Sequence, residues 1–373
     1  MRKPTLIIVA FFSFVLGLSA QAIIENPIKP LAKNAGRVIM LKEVLKISDE
    51  GTGQYYFKYP RGLRIALDGS IFVQDENQIL HFNKEGKFVR NYFKKGQGPG
   101  EMSYAGNILF TDKSIILQNS SPNKILWFDY DGRFLRDFAI RQMSGSLLQL
   151  LMFLNNVYYF NEWGFPRVKG KADYVDIPYR ILAMSEGAEA LKSLTSFPVK
   201  NYVIAPPGGG RMVYEIAIFI VVPYQTKFLA ISHTSEYLLK LYDPEKNQVI
   251  RAFKRAYKRV KSPPLAEESK KGGGKDYTKP SQQYLNDIAN IYAHKDEMWV
   301  VTSTSDKDKG VLIDVFNFKG TFIDNFYLQA PEKAKIIFSR GRTETTAVSG
   351  DYFYSIEKNE TETYVIKKYK IGA

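Results

Sequence analysis

One seven-residue pattern, written three times, limits what this chain can fold into more than any other feature. Phe82-Asn83-Lys84-Glu85-Gly86-Lys87-Phe88 returns as Phe128-Asp129-Tyr130-Asp131-Gly132-Arg133-Phe134, and again as Phe316-Asn317-Phe318-Lys319-Gly320-Thr321-Phe322. Each copy carries an aromatic six residues beyond its glycine, at Tyr92, Phe138 and Phe326. The glycine accepts the positive φ of a tight turn, and the alternating apolar and polar residues around it read as two antiparallel strands. Each copy is therefore a β-hairpin. Weaker versions stand at Ser185-Glu186-Gly187 and at Asp243-Pro244-Glu245-Lys246-Asn247, at widening intervals, so the modules grow by insertion.

A second pair of short strands precedes each hairpin, clearest on either side of Asp68-Gly69, and four strands per module make a propeller blade. The expected blades cover residues 60–93, 105–139, 147–197, 214–256, 285–328 and 344–372. The last has only three strands before the chain stops. Residues 37–47, alternating and β-rich, belong to no other blade and supply the fourth, which closes the ring and removes an exposed sheet edge. The reading is an all-β fold, a six-bladed β-propeller of four-stranded blades whose last blade is closed by an N-terminal strand.

Residues 60–101 carry a more specific signature: Pro60-Arg61-Gly62-Leu63, Asp68-Gly69-Ser70-Ile71-Phe72-Val73, Gly86-Lys87-Phe88 and Gly96-Gln97-Gly98-Pro99-Gly100-Glu101. This stretch resembles an NHL-type repeat and is similar to a bacterial six-bladed propeller family of mostly unassigned function. The resemblance is strong over the first two blades and fair over the fifth. It is only topological elsewhere.

Residues 1–22 have a basic start (Arg2, Lys3), an apolar run over residues 6–18 and a small-residue ending, Ala20-Gln21-Ala22. This is the layout of a secretory signal peptide, and the run is too short to cross about 30 Å of hydrocarbon. The expectation is cleavage near Ala22, a single propeller domain over residues 23–373, and a periplasmic or secreted monomer with no transmembrane segment. Cysteine is absent, which excludes disulfides, thiolate metal sites and a cysteine nucleophile. The formal charge is +14. Residues 251–275 concentrate it, with nine Lys or Arg against Glu267 and Glu268.

In such a ring, strand direction puts the turns within the two hairpins of each blade on one face and all other connections on the opposite face. The long connections all belong to the second class: residues 94–103, 163–177, 198–212, 260–285, 303–310 and 329–343. Long loops on a rigid scaffold carry function or are disordered. Residues 261–279, rich in Lys, Gly, Ser and Pro, read as a flexible insertion. The candidate ligand- or partner-binding residues on this face are Arg61, Trp163, Arg167, Arg211, Arg255 and Arg259, because arginine and aromatics are enriched at binding hot spots.

No catalytic motif stands out. Gly96 to Glu101 lacks the Lys-Ser/Thr ending of a phosphate loop, and no Gly-x-Ser-x-Gly elbow occurs. His81, His233 and His294 fall at unlike strand positions and do not suit one zinc ion. Asn107, Asn286, Asp287 and Asn290, near the starts of channel-side strands, offer the oxygen ligands of a calcium site, as in lactonase-type propellers. The reading is a binding scaffold without a cofactor, with a calcium- or zinc-dependent hydrolase or lyase as the alternative. For the basic segment the expected counterpart is a protein, an acidic glycan or a lipid surface. Export argues against nucleic acid.

Overall fold

The computed structural model describes residues 22–51, 53–120, 122–140, 146–164, 172–188, 190–205, 212–263, 280–331 and 345–372. Residues 1–21, most of the expected signal peptide, therefore lie outside the described residues, as do Arg167, Arg211 and most of the insertion expected at 261–279. Two strands come first, β1 (Ile23–Asn26) and β2 (Arg37–Ile47). Blade 1 holds β3 (Arg61–Ile65), β4 (Ile71–Asp75), β5 (Gln78–Phe82) and β6 (Phe88–Asn91). Blade 2 holds β7 (Ala105–Phe110), β8 (Ser114–Ser120), β9 (Asn123–Asp129) and β10 (Phe134–Ala139). Blade 3 has five strands: β11 (Ser146–Leu154), β12 (Val157–Gly164), β13 (Ala172–Ser185), β14 (Lys192–Ile204) and β15 (Met212–Tyr214).

Blade 4 runs through β16 (Ile220–Tyr224), β17 (Phe228–Ser232), β18 (Leu239–Asp243) and β19 (Gln248–Arg255). Blade 5 runs through β20 (Ile288–His294), β21 (Glu297–Asp306), β22 (Gly310–Asn317) and β23 (Phe322–Gln329). Blade 6 holds β24 (Thr346–Ser349), β25 (Tyr352–Lys358) and β26 (Tyr364–Ile371). The inner strands β3, β7, β11, β16, β20 and β24 each approach the next, and β24 meets β3. The chain is a six-bladed β-propeller.

The N-terminal segment belts three blades. β1 pairs in parallel with β19 of blade 4. The Asn26 amide then donates to the carbonyls of Lys254 (3.0 Å) and Gly320 (2.9 Å) and accepts from the Phe322 amide (2.9 Å), tying blade 4 to blade 5. In β2, Arg37 to Met40 pair in parallel with β23 of blade 5, and Leu41 to Ile47 pair antiparallel with β26 of blade 6. Residues 37–47 thus supply the fourth strand of the last blade, as expected, but their first four residues serve blade 5.

The hairpin repeat has a double rationale. Gly86, Gly132 and Gly320 adopt φ of 80°, 79° and 78°. Each also presses its Cα against the preceding blade: a Cβ would meet Leu45 at 3.0 Å from Gly86 and Phe253 at 2.9 Å from Gly320. The residue after the buried Phe closes the turn, since Asn83, Asp129 and Asn317 each accept a backbone N–H through Oδ1. Glycine is therefore needed both for the turn and for the seam.

The core is divided into six apolar wedges, one between each pair of neighbouring blades. Leu41 of β2 enters the wedge between blades 5 and 6, and Ile47 the wedge between blades 6 and 1.

Three expected loops, 163–177, 198–212 and 303–310, are partly strand instead. Residues 303–310 continue β21 and β22 around a tight turn whose Asp306 carboxylate accepts from the amides of Asp308 and Lys309. β13 and β14 extend past blade 3, with Pro178 directly opposite Pro198 in register, so both missing N–H groups fall on one rung. Residues 212–214 join blade 3 rather than opening blade 4.

His81 is buried on β5 with its ring stacked on Phe72 at 4.3 Å and neither ring nitrogen hydrogen-bonded. Burial, with a smaller contribution from Arg90, lowers its pKa from 6.5 to about 4. The unfolded chain therefore takes up a proton that the folded chain refuses, and stability contributed above pH 6.5 is lost as pH falls towards 4. The variant His81→Leu is expected to gain on the parent as pH drops from 7 to 5, measured by thermal unfolding. Parallel stability curves for the two proteins would contradict this.

Candidate functional site

Inner strands enter the ring from the long-connection face, and the first of them is bent as it does so. The pairing of β3 with β4 jumps from Arg61 opposite Gln74 to Arg64 opposite Phe72. Residues three apart on a regular strand point to opposite sides, and the bulge removes that alternation so that Arg61 and Arg64 both line the channel. Gly62 forms the bulge with φ of 59°, and a Cβ there would stand 2.7 Å from Gln74 Oε1. Similar register shifts open β7, between Ala105 and Ile108, and β20, between Ile288 and Asn290.

These strand starts surround a cavity of about 410 Å³. Its lining comes from blades 1 to 5 and includes Arg61, Arg64, Gln74, Tyr104, Asn107, Asn161, Trp163, Tyr179, Glu215, Phe219 and Asn290. The inner strands contribute their first residues, and β4 and β8 residues near their ends, Gln74, Gln118 and Ser120. The cavity therefore opens on the face that carries the long connections.

Its walls differ in chemistry. On the side of blades 1 and 2, the Arg61 guanidinium donates to the Tyr104 hydroxyl and lies 5.4 Å from that ring. No carboxylate among the described residues forms an ion pair with Arg61. Burial pushes Arg64 down to about 10, which leaves it charged at neutral pH. On the side of blades 3 and 4, Trp163 stacks on Tyr179 at 6.3 Å and Tyr179 on Phe219 at 4.4 Å. Between these walls stand amides. Asn107 donates to the Leu150 carbonyl, and Gln118 both donates to Leu148 and accepts from Leu150, which clamps blade 2 to the inner strand of blade 3. Asn161 is 7% exposed, and its Oδ1, shut off from solvent, has no hydrogen-bond partner among the described residues.

Arg61 and Trp163 thus reach one cavity. Arg255 and Arg259 lie elsewhere: the Arg255 guanidinium is 2.6 Å from Asp314, which also accepts from the Tyr237 hydroxyl, and Arg259 pairs with Asp287 at 3.0 Å. Both are engaged in fixing the segment after β19 to blade 5. Arg251 packs over Phe318 and Lys254 pairs with Glu25, so the described part of the basic stretch is largely internal wiring. The neck of the expected insertion is tied by Ser262 to Gln283 and Leu285 to Val260; residues 264–279 lie outside the described residues.

The four residues offered for calcium separate. Asn107 and Asn290 line the cavity, whereas Asp287 is taken by Arg259 and Asn286 is not part of the lining. His81, His233 and His294 sit in blades 1, 4 and 5, packed against Phe72, Phe197 and Trp299. No group of three or more His, Cys, Asp or Glu among the described residues is placed to hold a metal ion. Sequence reasoning missed Arg64, Asn161, Tyr179 and Phe219.

A family described as a 6-bladed beta-propeller, DUF5128, matches residues 50–177. Ring and family description agree. The match does not extend to the NHL-like family that residues 60–101 resemble. Among solved structures, a protein described as exported from Bacteroides fragilis superposes with TM-score 0.53 at 12% identity, over 94% of this chain and 100% of its own. A member of the DUF4221 family from Bacteroides vulgatus gives TM-score 0.52 at 12% identity, over 90% and 99%. A gluconolactonase from Xanthomonas campestris gives TM-score 0.42 at 9% identity, over 91% and 97%. Identities this low speak to the fold alone. No curated protein matches the sequence. No helix among the described residues is long and apolar enough to cross a membrane.

Gly62 provides a clean test of how the mouth is built. Gly53 has nearly the same φ, 60° against 59°, but a Cβ there meets nothing within 4 Å. Both alanine variants bear the cost of positive φ, about 1 kcal/mol or more. Gly62→Ala also displaces Gln74, so its melting temperature is expected to fall further than that of Gly53→Ala. Equal losses would show that the Gln74 contact does not constrain the bulge.

Proposed function

We propose that this chain is an exported, non-catalytic propeller that binds a small polar ligand in the cavity at the long-connection mouth of its channel. One observation carries the reading: Arg61, which forms no ion pair among the described residues, and the aromatic stack of Trp163, Tyr179 and Phe219 line the same cavity. A cavity of this size, with an apolar wall and a few placed polar groups, has the features of a small-molecule site. Export rests on the layout of residues 1–22, with delivery to the periplasm or the exterior and removal of the leader near Ala22.

Tryptophan emission tests the reading. Trp163 is the one tryptophan in the cavity lining; Trp127 and Trp299 belong to the wedges between blades. A ligand from a library of polar metabolites is expected to change the emission of the parent protein but not that of Trp163→Phe, and to bind at least tenfold more weakly to Arg61→Ala. Failure of every compound, or binding unaffected by both substitutions, would overturn the site. Stoichiometric calcium or zinc in the purified protein would replace this reading with that of a metal-dependent hydrolase or lyase.

A further inference from the structure

We infer that the ligand is a carboxylated sugar, either a free uronic acid or the terminal uronic residue of an acidic glycan. This rests on the reading of the channel mouth as a ligand site and names the chemistry that the site selects.

Charge comes first. Among the described residues the cavity lining holds two arginines and one carboxylate, Glu215, which is exposed and lies between β15 of blade 3 and β16 of blade 4. Arg61 is fixed at the mouth by the Tyr104 hydroxyl on one side and the Tyr104 ring on its face. A guanidinium has five N–H donors, and its planar fork matches the two oxygens of a carboxylate. Arg64, half-buried further along β3, adds a second positive charge with little water to screen it.

An anion alone does not account for the amides in the lining. An amide oxygen accepts, so a ligand group beside it must be able to donate. A simple dicarboxylate, ionised at neutral pH, has no proton to give. A hydroxyl does. Gln74, Gln149 and Asn290 line the same cavity, and each amide both donates and accepts, which suits several hydroxyls on one ring.

The third requirement is a flat apolar surface. The stack of Trp163, Tyr179 and Phe219 forms the opposite wall, and the electron-rich face of an aromatic ring favours the weakly positive C–H edge of a pyranose. Anion, hydroxyls and an apolar ring face coincide in a sugar acid. Outside the cavity, Tyr56, Tyr59 and Tyr174 are exposed large side chains on the same face, giving further sugars of a chain something to rest on.

Titration calorimetry on the full mature chain at low salt tests the inference with galacturonate, glucuronate, galactose, inorganic phosphate, adenosine monophosphate and a galacturonate trimer. At least one uronate is expected to bind tenfold or more tightly than galactose, and Arg61→Gln to bring that ratio close to one. Trp163→Phe should weaken uronate and galactose alike. A trimer tighter than the monomer assigns the source as a glycan end, and equal affinities assign a free acid. Thermal melting of each variant confirms that it is folded. Preference for phosphate or the nucleotide in an Arg61-dependent manner overturns the sugar assignment while leaving the site in place. Galactose binding as tightly as the uronates, or no binding of any sugar acid, overturns the sugar assignment too; the site itself then stands or falls on the metabolite screen.

Discussion

A propeller exists only if its ring closes, and here β2 carries that closure. Its residues 41–47 complete blade 6, while Leu41 and Ile47 fill the wedges on either side of it. Every apolar wedge in this protein is shared between neighbours, so a blade standing alone would expose half of each wedge it borders. Without cysteine, no covalent staple relieves that requirement. The belt from β1 through Asn26 to β2 spreads the closure over three blades, and the Arg37–Asp324 ion pair at 2.9 Å anchors its middle.

Closure also explains where chemistry becomes possible. Six inner strands surround the channel, and the bulges that open β3, β7 and β20 lie where those strands enter it. Arg61 and Arg64 are products of such a bulge, and Gly62 is its enabling residue. The turns within hairpins stay short because their glycines press against the preceding blade. The other face has no such seam to respect, and the long connections accumulate there.

Much of this was legible before any coordinates. The hairpin motif is local, so blades 1, 2 and 5 could be read directly, and the surplus strand at residues 37–47 followed from arithmetic on the last blade. Blade 3 was harder because Pro178 and Pro198 signal a loop individually and are tolerated only because they face each other. β1 is four residues long, and its parallel pairing to β19 depends on tertiary contact. In the site, Arg61 and Trp163 were legible from their position beside long connections. Arg64 was not, since strand alternation turns it away until a bulge intervenes. Arg255 and Arg259 looked like free charge because their partners, Asp314 and Asp287, lie 59 and 28 residues away in sequence. An amide such as Asn161 gives no signal at all in a strand; only the wall around it shows that it is unpaired.

The central claim is that the bulged strand starts and the aromatic stack together form one ligand site at the long-connection mouth. A crystal structure of the mature chain soaked with a uronate addresses it most directly. The account predicts the sugar carboxylate within hydrogen-bond distance of Arg61, a hydroxyl at Gln149 or Asn290 and the ring against the Trp163 wall. A sugar bound on the opposite face, or in the cavity with its carboxylate turned away from Arg61, would contradict it.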